Sequence, residues 1–98
     1  MSYADFTRQH RRLAILRYLE ECPAYTVNAS ILGDVLTRLG LAATHDQIVT
    51  EITWLQEQGF VSVAKRSEMV VTTATRSGLE IARGLSVHPE IRRPRPEV

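Results

Sequence analysis

Gly59-Phe60-Val61-Ser62-Val63-Ala64-Lys65-Arg66-Ser67-Glu68-Met69-Val70-Val71-Thr72-Thr73 decides the fold. Two runs rich in β-branched residues, 60–64 and 69–73, flank the polar stretch 65–68, the pattern of two strands folded back as a hairpin. The stretch between them holds no Gly, Asn or Pro, so the turn type is left open.

Upstream of Gly59 the period changes from strand to helix. Ile48, Ile52 and Leu55 recur on one helical face, and Thr44-His45-Asp46-Gln47 places Thr and Gln at capping-box spacing, so a helix starts there and stops at Gly59. Before it, Leu32, Val35, Leu36 and Leu39 follow helical spacing, with Thr26 or Asn28 as the cap and Gly40 as the stop. A turn of about four residues joins these two helices, as in a helix-turn-helix. The first helix occupies residues 5–22, which lack Gly and Pro, and it ends before Pro23. Leu13, Leu16 and Leu19 mark its core stripe; Ala14, Ile15 and Tyr18 widen the apolar surface beyond one packing face.

Downstream of the hairpin, Thr75 caps a short fourth helix over residues 76–83, with Leu79 and Ala82 inward and Gly84 at its end. The prolines at 89, 94 and 96 forbid a further helix. The expected organisation is therefore one domain over residues 1–84 and an extended, partly disordered tail over 85–98. The fold class is mainly α with a small hairpin: three core helices, a two-stranded wing and a closing helix.

Composition narrows the function classes. Apolar residues make up 44% and charged residues 23%, which is ordinary for a folded soluble domain. No apolar run reaches bilayer length and the N-terminus lacks signal-peptide order, so a cytoplasmic location and no membrane partner are expected. The single cysteine, Cys22, follows an apolar helical run and reads as a core residue. His10, His45 and His88 are scattered, and no phosphate loop, HExxH or nucleophile elbow is present. These features point away from an enzyme, a metal site and a cofactor.

Two strings sharpen the reading. Ile52-Thr53-Trp54-Leu55-Gln56-Glu57-Gln58-Gly59-Phe60-Val61 resembles the exit of a recognition helix into a wing strand, and Thr75-Arg76-Ser77-Gly78 is similar to the start of the helix after the wing in MarR-, PadR- and ArsR-like regulators. Nearly the whole chain resembles small winged-helix proteins of Mu-like phages and prophages, often labelled ArsR-like. That resemblance implies a winged-helix fold without a defined role; the fold pattern together with Lys65 and Arg66 leads to the expectation of a protein that binds double-stranded DNA as a homodimer. The Cys-x-Cys motif of metal-sensing ArsR members has no counterpart here.

On that reading the DNA-facing candidates are Thr44, His45, Gln47 and Thr50 on the third helix and Lys65 and Arg66 at the wing tip. Asp46, Thr50, Thr53, Trp54 and Glu57 are expected to point outward, with Trp54 reading as a packing residue against the wing or a dimer partner more than as a base-stacking surface. Charge argues against strong base reading: between residues 26 and 58 only Arg38 opposes Asp34, Asp46, Glu51 and Glu57. Arg8, Arg11, Arg12 and Arg17 instead make the first helix basic, to touch phosphate or to pair with Glu20 and Glu21. The tail's Arg92, Arg93 and Arg95 form a stiff basic strand suited to DNA or to a protein, although Glu90, Glu97 and the terminal carboxylate offset most of that charge. An adaptor that docks a phage or host protein is the alternative, with Trp54, Arg8 and Arg12 as the partner surface.

Overall fold

The computed structural model describes residues 2–95. It contains α1 (Tyr3–Glu21), β1 (Thr26–Asn28), α2 (Ala29–Arg38), α3 (His45–Glu57), β2 (Val61–Arg66), β3 (Met69–Ala74) and α4 (Arg76–Ala82). The three strands form one antiparallel sheet in the order β1-β3-β2. Four helices and a three-stranded sheet therefore replace the expected helices and lone hairpin.

The extra strand lies where helix caps were expected. Thr26, Val27 and Asn28 pair with Thr73, Thr72 and Val71, and the Thr26 and Thr73 hydroxyls share a hydrogen bond of 2.8 Å. Of the two candidate caps only Asn28 acts as one, its Oδ1 accepting the Ile31 N–H at 3.0 Å. α1 starts earlier than expected. The Ser2 hydroxyl accepts the Asp5 N–H while the Asp5 carboxylate accepts the Ser2 N–H, closing a capping box one turn upstream.

The core stripes fall as the periodicity requires: Leu16, Leu19, Leu32, Leu36, Ile52 and Leu55 are almost wholly buried. Leu39 departs from its stripe, since it is the C-cap of α2 and is 58% exposed. Cys22 is half-buried at the end of α1, where desolvation pushes its thiol pKa up.

Two glycines join the hairpin to the helices. Gly59 turns α3 into β2 at φ +81°, a conformation costly for residues with a Cβ. A Cβ on Gly78 would lie 2.0 Å from the Phe60 carbonyl oxygen, so only glycine lets α4 sit against the foot of β2. That oxygen accepts the Thr75 N–H at 3.0 Å, and the Thr75 hydroxyl donates to the Gly59 carbonyl at 2.7 Å. β2 and β3 pair from Val61↔Ala74 to Arg66↔Met69, which leaves a two-residue turn, Ser67 and Glu68. Lys65 and Arg66 are thus the last residues of β2 and not turn residues.

The expected free tail lies on the domain. Ile91 is buried in the core, the Arg92 N–H donates to the Gln9 carbonyl at 3.1 Å, and Arg12 Nη1 donates to the Glu90 carbonyl at 2.9 Å. Residues 85–95 form neither helix nor strand; they bend at 85–86 and turn at 89–90, where the Ile91 N–H donates to the His88 carbonyl at 3.1 Å, and so run as a strap across α1 and α3 instead of the expected extended tail. The tail's last residues, 96–98, lie outside the described residues. No described helix is long and apolar enough to cross a membrane.

Candidate functional site

The sequence-derived candidates occupy three places. Gln47 and Thr50 face a shallow groove between the starts of α3 and α1, shared with Tyr3, Thr7, Arg8 and Arg11. His45 turns the other way, toward Ser30, Asp34 and Thr37 of α2. Lys65 and Arg66 stand exposed at the far end of the hairpin.

Two of the α3 candidates are tied to their own helix. Thr44 and Gln47 form the expected capping box: the Thr44 hydroxyl accepts the Gln47 N–H at 3.1 Å and Gln47 Oε1 accepts the Thr44 N–H at 2.9 Å. The Thr50 hydroxyl donates to the Asp46 carbonyl at 2.8 Å. What these side chains offer a ligand is reduced accordingly: Gln47 keeps its amide donors and Thr50 its acceptor lone pairs.

The lower half of α3 is not a free surface. Glu51 is buried, with Arg12 Nε at 2.7 Å and Arg8 Nε at 3.4 Å from its two oxygens. Trp54, expected to point outward, is half-buried with the Arg12 guanidinium 3.8 Å from its ring centroid, within cation–π range. His88 of the strap meets Trp54 and Phe60 edge-on, with ring centroids 5.1 and 5.8 Å apart. His88 Nδ1 accepts the Glu90 N–H at 3.0 Å, which fixes the ring.

This cluster corrects two expectations. Arg12 is 6% exposed and cannot be a partner surface, whereas Arg8 remains exposed beside Glu51. Three arginines of α1 turn to partners beyond their own helix: Arg12 and Arg8 take Glu51, and Arg11 donates to the Leu41 and Ala42 carbonyls at 3.0 and 2.6 Å, while Glu20 is held by Arg83. Arg11 thereby clamps the turn between α2 and α3.

Neutralising Glu51 also changes the charge of α3. Of the three carboxylates on this helix, only Asp46 and Glu57 reach solvent. The strap residues His88, Glu90 and Ile91 were missed because no period marks them in the sequence.

No protein-family profile matches the chain. It is 37% identical over 92 residues to the uncharacterised protein gp26 of Escherichia phage Mu, covering 94% of this chain and 95% of the phage protein. The chain belongs to the phage Mu gp26 family. An uncharacterised protein of Haemophilus influenzae is 35% identical over 65 residues, 66% of this chain and 63% of that protein. The match to gp26 spans the domain from end to end and is not confined to one motif, so the gp26 family shares a whole fold here and not an isolated helix or hairpin.

Proposed function

We propose that this gp26-family protein is a winged helix that binds double-stranded DNA as a homodimer, a non-enzymatic phage or prophage regulator or DNA-associated accessory factor of the ArsR-like kind. The observation that carries this reading is the placement of α3 and the β2–β3 hairpin. A helix-turn-helix is followed by a hairpin whose tip presents Lys65 and Arg66, while Thr44, His45, Gln47 and Thr50 at the start of α3 are exposed. In winged helices such a helix enters the major groove and the basic hairpin tip grips the neighbouring backbone.

Electrostatics favour this more than the sequence alone does. Arg8 and Arg12 together outnumber the single carboxylate of Glu51, and the exposed Arg8 shares one groove with Gln47, Thr50 and Asp46, so a phosphate beside the start of α3 meets a guanidinium as well as the helix N-terminus. The adaptor reading loses Trp54 as an open contact surface, because Arg12 and His88 pack against its ring, and keeps only the exposed Asp46 and Glu57 of α3. A groove between α1 and α2, lined by Ala14, Tyr18, Val35, Leu39 and Leu41, provides the apolar surface for pairing two copies.

Mobility-shift titrations of a duplex across a salt series test the reading. The slope of log affinity against log salt should be steep, and Lys65→Ala with Arg66→Ala should flatten it by about two, one per lost phosphate contact. Absence of binding at low salt would end the proposal.

A further inference from the structure

The strap gathers arginines. Arg83 and Gly84 at the end of α4, and Arg92, Arg93, Pro94 and Arg95 of the strap, line one hollow of about 600 Å³. Three anchors bring these distant residues together. Ile91 is buried, the Arg92 N–H is bound to the Gln9 carbonyl, and a side chain on Gly84 would meet Pro94 Cγ at 3.8 Å.

Four guanidinium groups around one hollow repel one another and raise its positive potential, which an anion relieves. Among the described residues, Glu20 is held by Arg83 Nε, a guanidinium that also hydrogen-bonds Tyr25, and both the carbonyl and the carboxylate of Glu90 turn to Arg12, so Arg92, Arg93 and Arg95 keep most of the basin's positive charge. Among the described residues neither Arg93 nor Arg95 has an ion pair.

We propose that this arginine basin is a phosphate-binding site, separate from the start of α3 and from the hairpin tip. A guanidinium presents paired N–H donors that match two oxygens of one phosphate. A tetrahedral phosphate group offers oxygens in several directions, so more than one of the four arginines can engage it, whereas a planar carboxylate is matched by one. The phosphate comes from a nucleic-acid backbone or from a free polyphosphate; the recognition chemistry is the same.

The full chain titrated with tripolyphosphate, by calorimetry and by amide chemical shifts, tests the site. Saturable binding should perturb the amides of Arg83, Gly84, Arg92, Arg93 and Arg95. It should weaken about tenfold or more in Arg93→Gln with Arg95→Gln, and stay unchanged in Lys65→Ala with Arg66→Ala. Both altered basin residues are exposed, so the fold should persist, which an unchanged amide spectrum elsewhere would verify. Arg93→Glu provides a second variant and should abolish binding. No saturable binding at low salt, or equal weakening by the hairpin-tip pair, overturns the proposal. A short duplex that tripolyphosphate displaces, and that Arg93→Gln with Arg95→Gln weakens, supports the basin with backbone phosphate as its ligand. A duplex indifferent to that pair supports it with free polyphosphate. Binding of tripolyphosphate with no duplex binding at all would overturn the α3 and hairpin reading and leave the basin standing.

Discussion

Arg12 of α1 and Glu51 of α3 are buried against each other, Nε to Oε1 at 2.7 Å, with side chains only 7% and 5% exposed. Around this pair the molecule is joined in three directions: Arg8 reaches the second oxygen of Glu51, Trp54 lies against the Arg12 guanidinium, and the strap offers its Glu90 carbonyl. The pair therefore holds α1, α3 and the strap in one arrangement, and it takes a carboxylate out of the surface that α3 presents.

Removing one partner leaves the other charge buried, which typically costs 3–5 kcal/mol. Arg12→Ala should fall near the lower end, about 3 kcal/mol, because Arg8 still reaches Glu51. Replacing both residues, Arg12→Met with Glu51→Leu, should recover much of that loss, since two matched apolar side chains leave no stranded charge. Urea unfolding of the wild type, both single variants and the pair gives the coupling directly. Additive losses would refute a mutually dependent pair.

Thr72 presents the opposite case. It is fully buried in the central strand β3, between Val27 and Val63, and its hydroxyl has no hydrogen-bond partner. An unsatisfied buried hydroxyl is destabilising, and Val has the same shape without the polar group. Thr72→Val should raise stability by about 1 kcal/mol, seen as a higher urea midpoint with an unchanged slope. A destabilised variant would mean that the hydroxyl is satisfied after all.

What the sequence made legible, and what it did not, divides along the range of the interactions. The Thr44 and Gln47 capping box, the stop at Gly59 and the tight packing at Gly78 depend on neighbours in the chain or on backbone geometry, and each is found where its residues imply. β1 escaped notice because three residues cannot display a period, and Thr26 and Asn28 are residue types that also cap helices. The contacts of Glu51, and the partners against which Trp54 packs, were not legible for a different reason. They flank the Ile48, Ile52 and Leu55 stripe, and a helical period alone leaves such flanks open to solvent. What covers them is Arg12 and His88, which lie more than thirty residues away in either direction. The strap shows the same limit, since its prolines exclude a helix without showing where the chain turns or what it rests on.

The strap should also be the first part of the domain to open. It is held by one buried side chain, Ile91, by a few hydrogen bonds and by the edge contacts of His88, whereas Leu85 and Val87 within it are 74% and 62% exposed. Few buried apolar contacts place a segment at the low end of local stability. Ile91→Ala removes its main anchor, a change that costs about 2–5 kcal/mol at a fully packed site, and here that loss falls on strap attachment. Amides of residues 88–92 should lose hydrogen-exchange protection while those of α1 and α3 keep it. The emission of Trp54, the only tryptophan, should shift to the red as His88 leaves its edge and water enters. His88→Ala should produce the same red shift with a smaller loss of protection, because Ile91 remains. If instead Ile91→Ala lowers the protection of every helix equally and leaves the native Trp54 emission unchanged, the strap unfolds only with the domain as a whole.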